Sequence, residues 1–256
     1  MTDKLPAPLV RTDDMRRTLE FAPGDIQSEM LLARPDALVL DYTRAMMAFT
    51  LFVPRPRHIV MVGLGGGSLL KFCHRHLPDA RITVLEVRAD VIALRDAFCV
   101  PPDDHRLRVL HADAAAYLAR SSEPADVVLV DGFDRSGLPA ALSSAAFYAS
   151  CRRILRPGGV LVANVFTYDP DYAGVLQRLR AAFDGRVAWF RGIAGNNQIL
   201  FAARGSGHGA VDDKGQDAGR LLALLARRGR ERGVGAGWSN RLLARLLVAW
   251  LARRSA

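Results

Sequence analysis

Four acidic residues follow short apolar runs, at positions that suit nucleoside binding and proton transfer. Glu86 ends "RITVLE", and Asp113 follows "LRVLHA". Asp131 comes directly after "ADVVLV", and Asp134 follows it three residues later. A carboxylate after a strand can accept hydrogen bonds from ribose hydroxyls or from an adenine amino group. Two carboxylates in one cleft repel each other, which raises one pKa and gives a group that binds a cation or takes a proton.

Each acidic residue also has a structural interpretation. Asp113 can cap the helix that follows it, and Glu86 can be a solvated carboxylate at a strand end. Asp131 and Asp134 can instead shape a turn through bonds to their own backbone. From the residues alone, both interpretations stay open.

A cluster of glycines, "GLGGGS" at 63–68, separates the apolar run "HIVMV" from the helical pattern "LLKFCHRHL". Glycine lets the backbone turn sharply and approach a ligand, and the following helix offers free N–H groups at its start. We therefore predict that Gly63, Gly65 and Gly67 bind a nucleotide or nucleoside. A nicotinamide dinucleotide fingerprint needs glycine where Ser68 stands, which disfavours a dehydrogenase.

Short apolar runs alternate with helical patterns between residues 58 and 204, which predicts the elements that would position these groups. The strand candidates are "HIVMVG", "ARITVLEV", "LRVLHAD", "ADVVLVDGF", "GGVLVANVF" and "NQILFAAR". This alternation indicates an α/β fold, a Rossmann-like, doubly wound and mostly parallel sheet covered on both faces. Ligands bind outside the carboxyl ends of such strands, so the glycines and the acids are expected at one site.

The chain divides into four predicted parts. Residues 1–50 form a small N-terminal β appendage, 51–204 the Rossmann-like domain, 205–219 a flexible linker and 220–256 a basic amphipathic helical tail. Leucines at helical spacing in "SNRLLARLLVAWLARRSA" are expected to pack on their own domain or on a neighbouring subunit. Contact with an anionic membrane surface is the less favoured alternative.

Composition narrows the class of protein. The formal net charge of +9 is concentrated towards the tail, which disfavours a nucleic-acid partner. No run approaches the roughly 18 apolar residues of a membrane helix, and the first residues lack the apolar core of a signal peptide, so a cytoplasmic protein is expected. Cys73, Cys99 and Cys151 lie in apolar patterns and are predicted to be buried thiols. Scattered histidines predict no metal site.

From about Gln27 to Phe166 the chain resembles the spermidine synthase (polyamine aminopropyltransferase) family, a branch of the S-adenosylmethionine methyltransferase fold. That family has a glycine turn, an acid after the second strand, "GDG" after the third and "DSSDPxGP" after the fourth. The counterparts here are "GLGGGS", Glu86, "ADA" around Asp113 and "DGFDRSG". The resemblance implies aminopropyl transfer from decarboxylated S-adenosylmethionine, a co-substrate rather than a permanently bound cofactor, to a small-molecule amine. Separately, a homodimer is expected.

The same resemblance implies individual roles. Glu86 would hold the ribose, Asp113 the adenine, and Gln27 would reach over the nucleoside from the appendage. Asp131 would be the base and Asp134 the anchor for the acceptor amine. An amine of pKa about 10.4 arrives protonated at neutral pH, so a carboxylate must accept its proton before the nitrogen can attack.

The sequence departs from the family pattern on the substrate side. Gly66 stands where the family turn has an aspartate, and the family's "YHEM" is here Tyr42-Thr43-Arg44-Ala45. Tyr42 is kept and is expected to contact the substrate, but Gly66 and Arg44 remove negative charge where a cationic substrate would need it. "FRGIAGNNQILFA" also replaces the family's "PTYPxG". An S-adenosylmethionine-dependent methyltransferase and a non-catalytic nucleoside-binding protein therefore stay as alternatives.

Overall fold

A computed structural model describes residues 7–133, 137–194, 197–205 and 236–254. The strands are β1 (Leu9–Thr12), β2 (Arg16–Glu20), β3 (Ile26–Leu31), β4 (His58–Val62), β5 (Arg81–Glu86), β6 (Leu107–His111), β7 (Ala125–Val130), β8 (Leu155–Phe166), β9 (Val187–Ala194) and β10 (Asn197–Ala203). The helices are α1 (Asp41–Met46), α2 (Ser68–His76), α3 (Ala89–Ile92), α4 (Ala114–Arg120), α5 (Ala145–Ile154), α6 (Tyr172–Ala182) and α7 (Ala236–Arg254), with 3-10 turns at Met47–Leu51 and Ala140–Ser143.

The main sheet has seven strands in the order β6-β5-β4-β7-β8-β10-β9. Strands β4 to β8 pair in parallel, whereas β10 is antiparallel to both β8 and β9. Successive residues of β4 belong to different hydrophobic clusters, one on each face of the sheet. Covering on both faces explains the continuous apolar runs. The predicted mostly parallel, Rossmann-like fold is therefore confirmed.

The strand order reverses at β4, which pairs with β5 on one side and with β7 on the other. The carboxyl ends of β4 and β7 are in register, with Val62 opposite Val130. Asp131 then donates its backbone N–H to the carbonyl of Val62 over 2.9 Å. Residues far apart in the chain thus meet at the point where ligands bind in open α/β sheets.

One strand and one helix differ from the sequence-based expectation. β9, "VAWFRGIA", was not among the predicted strands, because an edge strand pairs on one side only and needs no continuous apolar run. The helix expected over "RADVIALRDAF" is reduced to the four residues of α3, followed by turns. The chain then reaches Cys99, which is exposed and has a positive φ of 54°. The expectation of three buried thiols is therefore wrong for Cys99, although Cys73 and Cys151 are buried.

The three N-terminal strands form a separate antiparallel sheet, β1-β2-β3, that packs against the glycine turn and α2. Ser28 of β3 and Ser68 of α2 place their hydroxyl oxygens 3.3 Å apart. Deeper in this contact, the Lys71 ammonium donates to the Phe98 carbonyl over 2.7 Å and to the Met30 sulfur over 3.2 Å. These contacts fix β3 over the carboxyl end of the main sheet.

Burial of Lys71 in this contact predicts a pH-dependent stability. Burial lowers the pKa of Lys71 from 10.5 to about 8, so the folded chain loses this proton more readily than the unfolded chain. The buried ammonium therefore destabilises the folded chain to its full extent below pH 8. This destabilisation decreases as the pH rises towards 10.5. We expect the unfolding free energy of the native sequence, relative to Lys71→Met, to rise by about 2 kcal/mol between pH 8 and 10. Urea titrations of both proteins measure it, and a pH-independent difference would contradict the assignment.

The C-terminal helix α7 packs on its own domain, against β9, α1 and the 3-10 turn at Met47–Leu51. Ala244 and Leu251 are buried in this contact, whereas Leu246 and Trp250 are exposed. The predicted linker lies outside the described residues apart from Gly205, as does the basic segment at 220–232. Within the described ranges, no helix has the length and apolar character needed to span a bilayer.

Candidate active site

A cavity of about 390 Å³ opens at the carboxyl ends of β4, β5 and β7. The glycine turn and the residues after these strands form its floor, the N-terminal sheet and α1 form one wall, and the ends of β8 and β10 form another. This is the place that the strand order predicts for a ligand.

The glycine turn is shaped by close backbone contacts. Gly63 has a φ of +94°, and a Cβ there would lie 2.3 Å from the backbone oxygen of Asp131. Gly63 and Gly65 both line the cavity. Gly67 does not belong to the described lining. It is the left-handed N-cap of α2, where a Cβ would lie 2.5 Å from Val100.

Gly66, which stands where the family has an aspartate, is enclosed by neighbouring side chains. A Cβ at this position would lie 2.6 Å from the Ser28 hydroxyl oxygen and 2.8 Å from the Phe98 ring. Ser28 of the N-terminal sheet and Phe98, which follows α3, therefore fill the space that a longer side chain would need. Two hydroxyls, those of Ser28 and Ser68, line the cavity beside this turn instead of a carboxylate.

Glu86 is buried at the end of β5 and lines the cavity. Its Oε2 accepts the backbone N–H of Leu64 over 2.8 Å, and its Oε1 accepts that of Arg88 over 2.8 Å. These bonds hold the carboxylate against the glycine turn. Each carboxylate oxygen keeps a second lone pair, so the group can also accept from a ligand hydroxyl.

If Glu86 holds a ribose, as the family resemblance implies, replacing it with glutamine is expected to weaken the binding of an adenosine nucleoside such as methylthioadenosine by about tenfold or more. The amide nitrogen would face a backbone N–H at either Leu64 or Arg88, so two donors would oppose each other and the ligand would lose an acceptor. Isothermal calorimetry measures the change. Glu123→Gln, which alters a surface ion pair with Arg81, is the matched control, and equal affinities in the two variants would contradict a nucleoside role for Glu86.

Asp113 and Gln27 lie on the same cavity. Asp113 is the N-cap of α4, where its Oδ1 accepts the Ala116 N–H over 2.8 Å. Capping and ligand binding are compatible, because the residue is exposed and lines the cavity. Gln27 reaches the cavity from β3 of the N-terminal sheet. Their proposed contacts with a nucleoside stay predictions.

Asp131 stands at the centre of a polar network. Its Oδ1 accepts the side-chain N–H of Asn164 over 2.9 Å, and the carboxylate also accepts the hydroxyl of Tyr42. Although Asp131 keeps accessible surface in the cavity, burial raises its pKa above the ordinary value, and the bonds from Asn164 and Tyr42 oppose that rise. Burial, together with the negative charge of Asp131, holds the pKa of Tyr42 well above its usual 10, so the phenol stays a donor.

The network continues to a residue that the sequence did not single out. Asn197, at the start of β10, donates its side-chain N–H to Oδ1 of Asn164 over 2.9 Å. Both asparagines line the cavity. Asn164 could have been found as a polar residue near the end of an otherwise apolar strand, whereas Asn197 depends on an antiparallel pairing that periodicity does not locate.

The described lining of the cavity is acidic. Four carboxylates, those of Asp25, Glu86, Asp113 and Asp131, face one guanidinium, that of Arg88. Such a surface favours a cationic ligand. Across the described ranges, no group of three or more histidine, cysteine or acidic side chains could hold a metal ion.

Two arginines near the cavity have their charge balanced by aspartates. Arg88 bonds to Asp90 over 2.7 Å and lies 4.6 Å above the ring of Phe21. Arg44 pairs with Asp41 and donates to the Val39 carbonyl, and it is not part of the described lining. The guanidinium of Arg44 therefore adds no unbalanced positive charge to the described lining, although the acid that the family has at this position is still absent.

An aromatic wall completes the site. The rings of Phe133 and Phe166 lie 4.4 Å apart, and that of Tyr168 stacks on Phe166 at 5.0 Å. Phe133 and Phe166 line the cavity and offer an apolar surface for the methylene groups of a ligand. Asp134, predicted to anchor the acceptor, lies outside the described residues.

Solved structures share this fold. A probable spermidine synthase from Corynebacterium glutamicum superposes with a TM-score of 0.68 at 22% identity, covering 83% of this chain and 82% of that one. Human methyltransferase-like protein 13, solved in complex with SAH, gives a TM-score of 0.60 at 25% identity, covering 76% of this chain and 95% of that one.

Sequence comparisons identify the branch of this fold. The polyamine aminopropyltransferase of Chromobacterium violaceum is 38% identical over 191 residues, which cover 74% of this chain and 73% of the relative. Residues 40–183 match the model of the spermine/spermidine synthase domain. That segment contains the glycine turn, Glu86, Asp113 and Asp131, so the motifs and the match agree, and the chain belongs to the spermine/spermidine synthase family.

Proposed function

We propose that the protein is a transferase of polyamine biosynthesis that moves an aminopropyl group from decarboxylated S-adenosylmethionine to an amine. The main support is the position of Asp131, which Tyr42 and Asn164 hold in an acidic cavity that reaches the glycine turn. A relative 38% identical over most of the chain is named for this activity. Gln27, Glu86, Asp113 and Asp131, to which we assign roles in this transfer, all line that cavity. Asp134, which we also assign, lies outside the described ranges.

The donor would lie along the carboxyl ends of the strands. In this arrangement Glu86 accepts the ribose hydroxyls, Asp113 accepts the adenine amino group and Gln27 covers the nucleoside from the N-terminal sheet. Gly63 and Gly65 let the backbone approach the sulfonium side of the donor. The methylene carbon next to the sulfonium then faces Asp131, which follows the neighbouring strand β7.

Transfer is a displacement at that methylene carbon. Asp131 takes a proton from the acceptor ammonium, and the freed nitrogen lone pair attacks the carbon. The nitrogen–carbon bond forms as the carbon–sulfur bond breaks, and the electron pair of that bond neutralises the sulfonium, releasing methylthioadenosine. Tyr42 and Asn164 keep Asp131 oriented, while the acidic lining attracts the cationic acceptor. Asp134 is proposed to anchor the far end of the acceptor.

Mass spectrometry tests this proposal. The purified protein is incubated with decarboxylated S-adenosylmethionine and a pool of diamines and polyamines, and Asp131→Asn serves as the inactive control. We expect methylthioadenosine together with one amine heavier by an aminopropyl group, both absent in the control. Donor binding without either product would instead support a non-catalytic nucleoside-binding protein.

Methyl transfer from ordinary S-adenosylmethionine is the second candidate, favoured by one observation. The hydroxyls of Ser28, from β3, and Ser68, from α2, lie beside the turn where the family has an aspartate, and hydroxyls can donate to the carboxylate of an intact methionine tail. Parallel incubation and calorimetry with ordinary S-adenosylmethionine distinguish the two donors. Tighter binding of the intact donor, with a methylated product, would replace the first proposal.

A homodimer in the cytoplasm stays our prediction for the state of the protein in the cell. Sedimentation velocity of the purified chain measures its mass in solution, and fractionation of producing cells locates it. A monomer across micromolar concentrations would contradict the homodimer. Recovery of the protein with membranes would contradict the cytoplasmic location.

A further inference from the structure

Three side chains from neighbouring strands form one directed chain of hydrogen bonds beside the cavity. Asp131 follows β7, Asn164 lies in β8 and Asn197 begins β10, and these strands are adjacent in the sheet. Asn197 donates to Asn164 over 2.9 Å, and Asn164 donates to Asp131 over 2.9 Å. All three residues line the cavity.

The direction of this chain matters because an amide has a donor end and an acceptor end. The oxygen of Asn164 accepts from Asn197, so its nitrogen must face Asp131. In the reversed orientation the oxygen of Asn164 would face the carboxylate, and an ionised carboxylate has no proton to offer it. Asn164 is only 1% exposed, so bulk water is poorly placed to replace the hydrogen bonds that a reversed amide would lose.

We infer that Asn197 is a positioning residue: through Asn164 it keeps an N–H donor on Asp131 and so maintains the ionised carboxylate that accepts the proton of the acceptor amine. The inference rests on the proposed function and adds a residue outside the segment that matches the family domain, which ends at 183. Asn197 itself donates to Asn164 and is assigned no contact with the reacting atoms.

Other groups also influence Asp131, and they stay constant when residue 197 is changed. The Tyr42 hydroxyl bonds to the carboxylate directly from α1. The remaining titratable or charged side chains of the described lining are Asp25, Glu86, Arg88 and Asp113. A change at 197 that removes no charge therefore isolates the effect of the hydrogen bonds that run from Asn197 through Asn164 to Asp131.

The test is the pH dependence of kcat/KM in Asn197→Leu, a neutral change of similar volume. Without the donor at 197, Asn164 is free to turn its oxygen towards Asp131, which disfavours the ionised form. We expect the acid limb of the profile to move upward by about 0.5 to 1 pH unit, with kcat/KM reduced about 3- to 10-fold on that limb and little changed on the alkaline plateau. Asn197→Ala, a smaller change that also lacks a side-chain donor, is expected to act in the same direction if the leucine variant folds poorly.

Two controls separate this role from a structural one. Gln198→Leu alters the next residue of β10, which is buried and outside the cavity lining, and it should leave the acid limb in place. The double variant Asn164→Leu/Asn197→Leu should shift no further than Asn164→Leu alone, because Asn197 acts through Asn164. A uniform loss at all pH values in Asn197→Leu, or additive shifts in the double variant, would overturn the inference.

A titration without turnover keeps the two proposals distinguishable. The carbon-13 carboxyl signals of labelled aspartate are followed against pH, with Asp131→Asn identifying the resonance of Asp131. An upward shift of that titration in Asn197→Leu supports the positioning role even if the protein transfers no aminopropyl group, in which case only the proposed function fails. An unchanged titration in a protein that does catalyse transfer refutes the role of Asn197 alone.

Discussion

Replacing Asp131 with asparagine is expected to lower kcat/KM for aminopropyl transfer by about 10²- to 10⁴-fold, the usual contribution of a general base. The asparagine oxygen can still accept from Asn164 and Tyr42, so the network keeps its shape. It cannot take the proton of an acceptor ammonium. The loss should therefore fall on the chemical step, while the affinity for methylthioadenosine stays close to that of the native protein.

Stability gives an independent check on this variant. Burial raises the pKa of Asp131, so the folded chain holds this proton more tightly than the unfolded chain does. That contribution to stability is complete below the unfolded pKa near 3.8 and is lost as the pH rises through the folded pKa. At neutral pH the ionised side chain is thus a cost, and Asp131→Asn should not lower the thermal midpoint.

Steady-state kinetics and thermal unfolding measure both effects in the same samples. The matched control is Asp79→Asn, an exposed aspartate before β5 and therefore at the opposite end of the sheet from the cavity. Asp79→Asn should retain native kinetics. Activity of Asp131→Asn within about threefold of the native value would exclude Asp131 as the base.

Replacing Gly63 with alanine is expected to destabilise the fold by about 3 to 5 kcal/mol, through conformational strain and overpacking combined. The backbone at Gly63 has a φ of +94°, which disfavours any Cβ. The new methyl group would also lie 2.3 Å from the backbone oxygen of Asp131, so β4 and β7 would have to move apart at their carboxyl ends. Donor binding should be lost together with stability, because the same displacement moves the glycine turn and Asp131.

Urea unfolding followed by circular dichroism measures this change. Gly158→Ala provides the comparison, because Gly158 also has a positive φ, of +79°, but a Cβ there would meet no atom within 4 Å. Only conformational strain of about 1 to 2 kcal/mol should apply to that control. Equal losses in the two variants would show that the contact with Asp131 has no energetic consequence.

Much of the candidate site follows from one local rule applied to the sequence. The apolar runs locate the parallel strands, and the residues at or just after the strand ends include Gly63, Glu86, Asp113 and Asp131. This works because parallel strands buried on both faces have an unmistakable composition, and because their carboxyl ends all meet at one edge. The functional roles of these residues stay predictions until they are measured.

Side-chain direction, by contrast, could not be inferred from position. Arg44 was expected to alter the charge of the substrate site, but it pairs with Asp41 on its own helix. The sequence shows that the family's aspartate is absent at Gly66, and the structure adds that Ser28 and Phe98 occupy the space beside it. The outcome at Gly66 depends on atoms from distant segments, which a local pattern does not contain. The outcome at Arg44 depends on which way a long side chain turns, and residue spacing does not fix that direction.

The sequence by itself determined the mostly parallel sheet, the glycine turn and the acids at the strand ends, because each depends on local periodicity and on backbone preferences within a few residues. Only the tertiary structure decided how the N-terminal sheet closes over the turn and how Asn197 joins Asn164 and Asp131. Those contacts form between strands distant in the chain, and their geometry is set by sheet register and packing. Periodicity records which residues are buried, but not which distant partners they meet.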